Sequence, residues 1–148
     1  MINSILVIES DDALRKAITD ALGVTVLAFG AASGKEAMRL LDEHAPAKVI
    51  LNLQMKDMDG FTLLERIQEK LPNSRVIATS DSGKYDLVCR AAKSGVDEFL
   101  EKPYSTKDLF ASLDSSADSV DSHLDYWTIA NRNREKSRLR RQALLAYA

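Results

Sequence analysis

Residues 49–60 read VILNLQMKDMDG, and the fold turns on this stretch. Val49, Ile50 and Leu51 form a short, largely β-branched apolar run, the kind that is covered on both faces of a parallel sheet. The run is read as the core of a strand over residues 47–53, which delivers Asn52 to the strand's end. The polar segment QMKDMDG, residues 54–60, follows as a loop. Upstream, Ile5-Leu6-Val7-Ile8 is a run of the same type, followed by a polar turn from Glu9 to Asp12. Leu14, Ala17, Ile18, Ala21 and Leu22 then repeat at helical spacing, and Gly23 stops that helix. Residues 24–29 (VTVLAF) read as a further strand, and Ser33 with Glu36 makes a capping box for a helix carrying Ala37, Met38, Leu40 and Leu41.

The same rhythm continues downstream. Phe61, Leu64, Ile67, Gln68 and Leu71 mark a helix ahead of Pro72, and residues 75–79 (RVIAT) read as the fourth strand. Tyr85, Val88, Cys89 and Ala92 mark a helix that ends near Gly95. Residues 97–101 (DEFLE) lead into Lys102-Pro103, and Ser105 with Asp108 caps a last helix. Five βα units in succession predict an α/β fold: a doubly wound parallel sheet with helices on both faces.

The 148 residues suit one domain with an appendage, and 45% apolar content supports a core. The lone Cys89 excludes an internal disulfide and reads as a small buried helix residue. No apolar run approaches the roughly 20 residues that span a bilayer, and MINSILVIES is no signal peptide. The expected location is the cytoplasm, with no membrane partner. His44 and His123 are isolated, so neither reads as a metal ligand.

In doubly wound sheets, function collects at the carboxyl ends of the strands. Here those ends carry Glu9, Ser10, Asp11 and Asp12, then Asn52, then Ser80, then Lys102. An acid cluster, an amide, a hydroxyl and an ammonium would suit a phosphoryl site with a divalent cation, if the set held more acid.

At these residues the chain resembles a response-regulator receiver domain of the CheY-like superfamily, used in two-component signalling. The resemblance covers about residues 3–118 and rests on ILVIESDDALR, ILNLQMKDMDG, VIATSDSG and GVDEFLEKPY in that order. It implies a flavodoxin-like five-stranded sheet of order 2-1-3-4-5 and a signalling module rather than an enzyme. It also implies a sensor histidine kinase and other signalling proteins as partners. In the family an aspartate after the third strand accepts a phosphoryl group. Acids after the first strand help to hold magnesium, a hard cation that wants oxygen ligands. Lys102 with Pro103 matches the family's lysine and a cis-proline, Ser80 its hydroxyl and Phe99 its switch aromatic. Met55, Asp59 and Gly60 match the loop after the acceptor, and Glu9 the first acid.

Two positions depart from the pattern. Asn52 stands where the acceptor is expected, and Ser10 where a direct metal ligand is expected; Lys56 also replaces the loop's usual proline. The pocket thereby loses about two negative charges, so magnesium is expected to bind weakly if at all, at Glu9 and Asp11. The resulting expectation is a pseudo-receiver, with no catalytic residue and no firm cofactor. A phosphorylatable regulator with an Asp→Asn change at position 52 stays open as an alternative, with Ser10 counting against it. Lys102, lacking its partner acid, has Glu9, Asp11 or the Asn52 carbonyl oxygen to pair with.

Residues 1–119 read as the receiver and residues 120–148 as a basic helical extension. Phe110, Leu113, Ala117, Val120, Leu124 and Trp127 alternate steps of three and four, a seam suited to a homodimer through residues 110–127 or to folding back on the receiver. Asn131, Arg134, Arg138 and Arg141 then turn the seam polar. Residues 131–148 hold six bases and one acid, leaving 14 bases and 21 acids in residues 1–130. A basic tail without a reading motif is a weak signal for nucleic acid, which remains a third reading.

Overall fold

A computed structural model describes residues 4–114. Five strands, β1 (Ser4–Ile8), β2 (Leu27–Ala31), β3 (Lys48–Asn52), β4 (Arg75–Asp81) and β5 (Glu98–Lys102), alternate with five helices. These are α1 (Asp12–Leu22), α2 (Gly34–His44), α3 (Gly60–Lys70), α4 (Tyr85–Lys93) and α5 (Thr106–Asp114). All strand pairs are parallel and the order is β2-β1-β3-β4-β5, the flavodoxin-like order expected from the sequence.

Side-chain alternation along the strands divides the core in two. Leu6, Ile8, Val49 and Leu51 share one cluster with Ala37, Leu40 and Leu41 of α2, Leu63, Leu64 and Ile67 of α3, and Val88 and Ala91 of α4. Ile5, Val7 and Ile50 share the other with Ile18 and Leu22 of α1 and Leu109 and Leu113 of α5. Fully apolar strands therefore follow from helices on both faces. Phe110 is half-buried against the second cluster. The seam positions from Ala117 onward, the homodimer segment beyond Asp114 and the basic tail lie outside the described residues.

Strand limits differ from the sequence reading, most at β2. Residues 24–26 belong to the turn: the backbone nitrogens of Thr25 and Val26 both donate to Leu22 O, and Val24 is 83% exposed. As an edge strand, β2 takes its register from β1 alone, starting at Leu27 opposite Ser4. That register carries the strand through Gly30 and Ala31, which have little β preference of their own. β3 is a residue shorter at each end than read. β4 runs two residues further, to Asp81, and β5 sits one residue later, so that Asp81 pairs with Lys102. Cys89 is half-buried rather than buried.

Helix ends follow the local chemistry. Asp11, Ser33 and Asp59 accept from Leu14, Glu36 and Thr62 nitrogens as N-caps. Glu36 reaches back to Ala32 N rather than to Ser33 N. Ser105 Oγ accepts from Asp108 N at 3.0 Å. The far end of α5 is seated by two strand cations: Lys48 Nζ donates to Leu113 O at 2.9 Å and Arg75 Nε to Ser112 O at 3.2 Å. No helix among the described residues is long and apolar enough to cross a membrane.

Candidate functional site

The carboxyl ends of β1, β3 and β5 bring Glu9, Asn52 and Lys102 together. Strand order sets this up: β1 and β3 are neighbours, and Lys102, the last residue of β5, reaches Glu9 with its long side chain. Glu9 is 2% exposed and its carboxylate is the hub. Glu9 Oε1 is ion-paired with Lys102 Nζ. Glu9 Oε2 accepts from Asn52 Nδ2 at 3.0 Å and from the backbone nitrogen of Asp11 at 3.0 Å. Asn52, 4% exposed, also accepts at Oδ1 from the backbone nitrogen of Gln54 at 2.9 Å. The amide can only be oriented this way: reversed, it would set N–H against N–H and oxygen against carboxylate.

Other residues singled out in the sequence are placed differently. Asp11 joins the cluster through its backbone only; its carboxylate accepts from Leu14 N at the start of α1. Ser10 is half-buried, and no hydrogen bond of its side chain is found among the described residues. Ser80 is fully buried, but its hydroxyl donates to Asp81 O at 3.0 Å instead of entering the cluster. Phe99 is buried in the core with Val88, Ala91 and Val96. The Lys102–Pro103 peptide is cis. Of the three partners open to Lys102, it takes Glu9, while the Asn52 oxygen is held by Gln54.

Three contributors were not signalled by the sequence. Gln54 Oε1 accepts from Asp81 N at 2.7 Å, tying the loop after β3 to the end of β4. Arg15 Nη1 donates to Glu9 O at 2.9 Å and steadies the end of β1. Asp57 accepts from the backbone nitrogens of Gly34 at 2.9 Å and Lys35 at 3.2 Å, placing its charge at the positive end of α2. The Gly34 hydrogen bond is the main reason that the Asp57 carboxyl lies below its ordinary range. No spacing rule marks a loop acid that caps a helix some twenty residues earlier.

Electrostatically the cluster is balanced. One carboxylate meets one ammonium, and a neutral amide occupies the third corner. A buried carboxylate is tolerable only when paired and hydrogen-bonded, and Glu9 meets both conditions. Tyr104, partly buried nearby, has its phenol pushed up, mainly by burial and secondarily by the charge of Glu9.

Receiver domains typically bind magnesium at the phosphorylation site, which requires a set of oxygen donors with carboxylates among them. The donors here do not fit that requirement. Both Glu9 oxygens are engaged, Asp11 caps a helix, and Asn52 turns its nitrogen inward. Among the described residues no three His, Cys, Asp or Glu side chains group as metal ligands.

Comparison with known proteins points one way. The family model described as the response regulator receiver domain matches residues 5–114. The chemotaxis protein CheY of Bacillus subtilis is 32% identical over 107 residues, covering 70% of this chain and 88% of CheY. CheY of Listeria monocytogenes is 34% identical over 87 residues, covering 59% of this chain and 73% of that protein. Among solved structures, the signal receiver domain of a DNA binding response regulator from Colwellia psychrerythraea superposes with a TM-score of 0.70 at 29% identity. It covers 75% of this chain and 94% of that one.

Proposed function

The chain belongs to the response regulator receiver domain family, and from that premise we propose that it is a pseudo-receiver. It is a two-component signalling module that is not phosphorylated at the usual position, Asn52, and that acts through protein contacts rather than turnover. The observation that carries this reading is the amide of Asn52 held at both ends, by Glu9 and by Gln54 N. An amide oxygen is a poor nucleophile, and this one is already an acceptor. Magnesium binding at Glu9 and Asp11 is weak or absent on the same reading, because binding would have to displace Lys102, Asn52 and the α1 cap.

Family members are signalling proteins, and response regulators interact with sensor histidine kinases, so a kinase or another signalling protein is the expected partner. The reading takes residues 1–119 as the receiver and residues 120–148 as a separate basic extension, with self-association through residues 110–127. Its support there is the apolar spacing and the charge contrast of the sequence.

Incubation of the unaltered chain with acetyl phosphate and magnesium, followed by intact-mass measurement and peptide mapping, tests the central claim. The expected result is no adduct at residue 52; an adduct there overturns it. Solution mass of the full chain against a version ending at Ser119 tests self-association, and two monomers would remove it.

A further inference from the structure

The donors around Glu9 come from three separate segments. Lys102 Nζ arrives from the end of β5, Asn52 Nδ2 from the end of β3, and the Asp11 nitrogen from the turn after β1. All three point at one carboxylate. Two ordinary side chains and a backbone amide converging on an oxyanion make an anion site by any chemical definition. Its occupant is a side chain of the same molecule.

We propose that Lys102 Nζ, Asn52 Nδ2 and the Asp11 backbone nitrogen form an anion-binding cradle whose resident ligand is the Glu9 carboxylate. Filled in this way, the cradle excludes a free carboxylate or phosphoryl anion. The proposal rests on the reading that signalling does not pass through a phosphoryl group at position 52, and it deepens that reading by naming what occupies the site instead.

Three features support it. First, the Asn52 amide supplies a donor where a carboxylate would supply only acceptors, so the residue that removes the usual nucleophile also completes the cradle. Secondly, the Lys102 side chain is 20% exposed against 3% for Glu9, so the cradle opens to water on the lysine side, where an external anion would enter. Thirdly, the cradle's edges are fastened from outside. Arg15 holds Glu9 O, Gln54 N holds Asn52 Oδ1, and Gln54 Oε1 holds Asp81 N next to Ser80. Removal of the Glu9 carboxylate alone therefore leaves the Asn52 amide and the backbone at Asp11 in place, with Lys102 on the water-facing side.

Chemical rescue tests this directly. In the full chain, Glu9→Ala deletes the resident anion and leaves room for a small carboxylate. Sodium acetate at about 100 mM, compared with sodium chloride of equal ionic strength, is expected to raise the thermal midpoint of Glu9→Ala by about 3–6 °C and to saturate. The unaltered chain and Ser80→Ala are expected to show no acetate-specific shift. Sodium phosphate in a parallel titration reads whether the emptied cradle also takes a phosphate-sized anion. A folded Glu9→Ala that responds to neither anion overturns the proposal.

If Glu9→Ala does not fold, Glu9→Gln carries the test. Its amide cannot satisfy three donors, so hydrogen exchange at the Asp11 nitrogen is expected to quicken at least about tenfold; an unchanged rate overturns the cradle. A phosphoryl adduct at residue 52 of the unaltered chain would sink the underlying reading. Absence of that adduct, together with an anion-blind Glu9→Ala, would sink the cradle alone.

Discussion

Asn52 Nδ2 lies 3.0 Å from Glu9 Oε2, a distance at which an amide is a partner and a second carboxylate would be an adversary. Asn52→Asp should therefore create a coupled acid pair whose apparent proton affinity is raised. For groups with a raised folded pKa, the stabilising contribution is present at low pH and lost as pH rises through the folded value. Urea midpoints in chelator should place Asn52→Asp close to the unaltered chain near pH 5. At pH 8 it should fall below by on the order of 1–2 kcal/mol. A difference that does not change with pH would contradict the geometry.

Asp57 predicts the opposite slope. Its carboxyl is held below the ordinary range, chiefly by the Gly34 nitrogen. The stabilisation is present above the unfolded pKa and lost as pH falls through the depressed folded one. Asp57→Asn should weaken protection of the Gly34 and Lys35 amides at neutral pH, and the two proteins should converge in acid. Amide exchange by NMR at two pH values checks this.

Two glycines flank the same loop and should respond unequally to alanine. At Gly60 a methyl group would sit 2.3 Å from Leu53 O and 2.6 Å from Leu53 Cα, backbone that cannot move without moving the strand end beside Asn52. At Gly34 it would meet Met58 Sδ at 2.2 Å, the flexible part of a side chain that can swing away. Gly60→Ala should cost about 3 kcal/mol or more and Gly34→Ala less, as measured by urea unfolding. A Gly34→Ala variant as damaged as Gly60→Ala would mean that the loop cannot yield at Met58.

Tyr104 supplies an optical check on the neighbourhood of Glu9. Burial is the larger cause of its raised pKa and the Glu9 charge the smaller. In an alkaline absorbance titration its phenol should ionise later than a free tyrosine, above about pH 10. Tyr104→Phe should delete that late step, while Glu9→Gln should advance it only modestly. Because the folded pKa is the raised one, the associated stability is complete below the free-tyrosine value and disappears as pH climbs through the late step.

Much of this architecture could be read from the chain. Val49 to Leu51 and Ile5 to Ile8 announce buried parallel strands, and Ser33 and Ser105 announce helix starts. The misplacement of β2 has a physical cause: VTVLAF carries strand-forming residues, yet hydrogen bonds to Leu22 O retain Thr25 and Val26 in the turn. Local preference lost to the register imposed by β1. At the site, composition and order pointed to Glu9, Asn52 and Lys102, but not to who holds whom. Which way Asn52 turns its amide depends on the Gln54 nitrogen two residues on, and Ser80 gives its hydroxyl to Asp81 O. Such choices are made by three-dimensional competition among donors and acceptors, which a linear pattern does not record.

The seating of α5 has a mechanical consequence. The helix starts four residues after Lys102, at the pole that carries the Glu9 cluster, and ends where Lys48 and Arg75 grip its last carbonyls at the opposite pole. Its nine residues form a rod about 13 Å long. With the far end pinned, a shift at Lys102 tilts the rod about that pivot instead of sliding it. The change reaches Leu113 and Asp114 as a change of angle, not as a displacement.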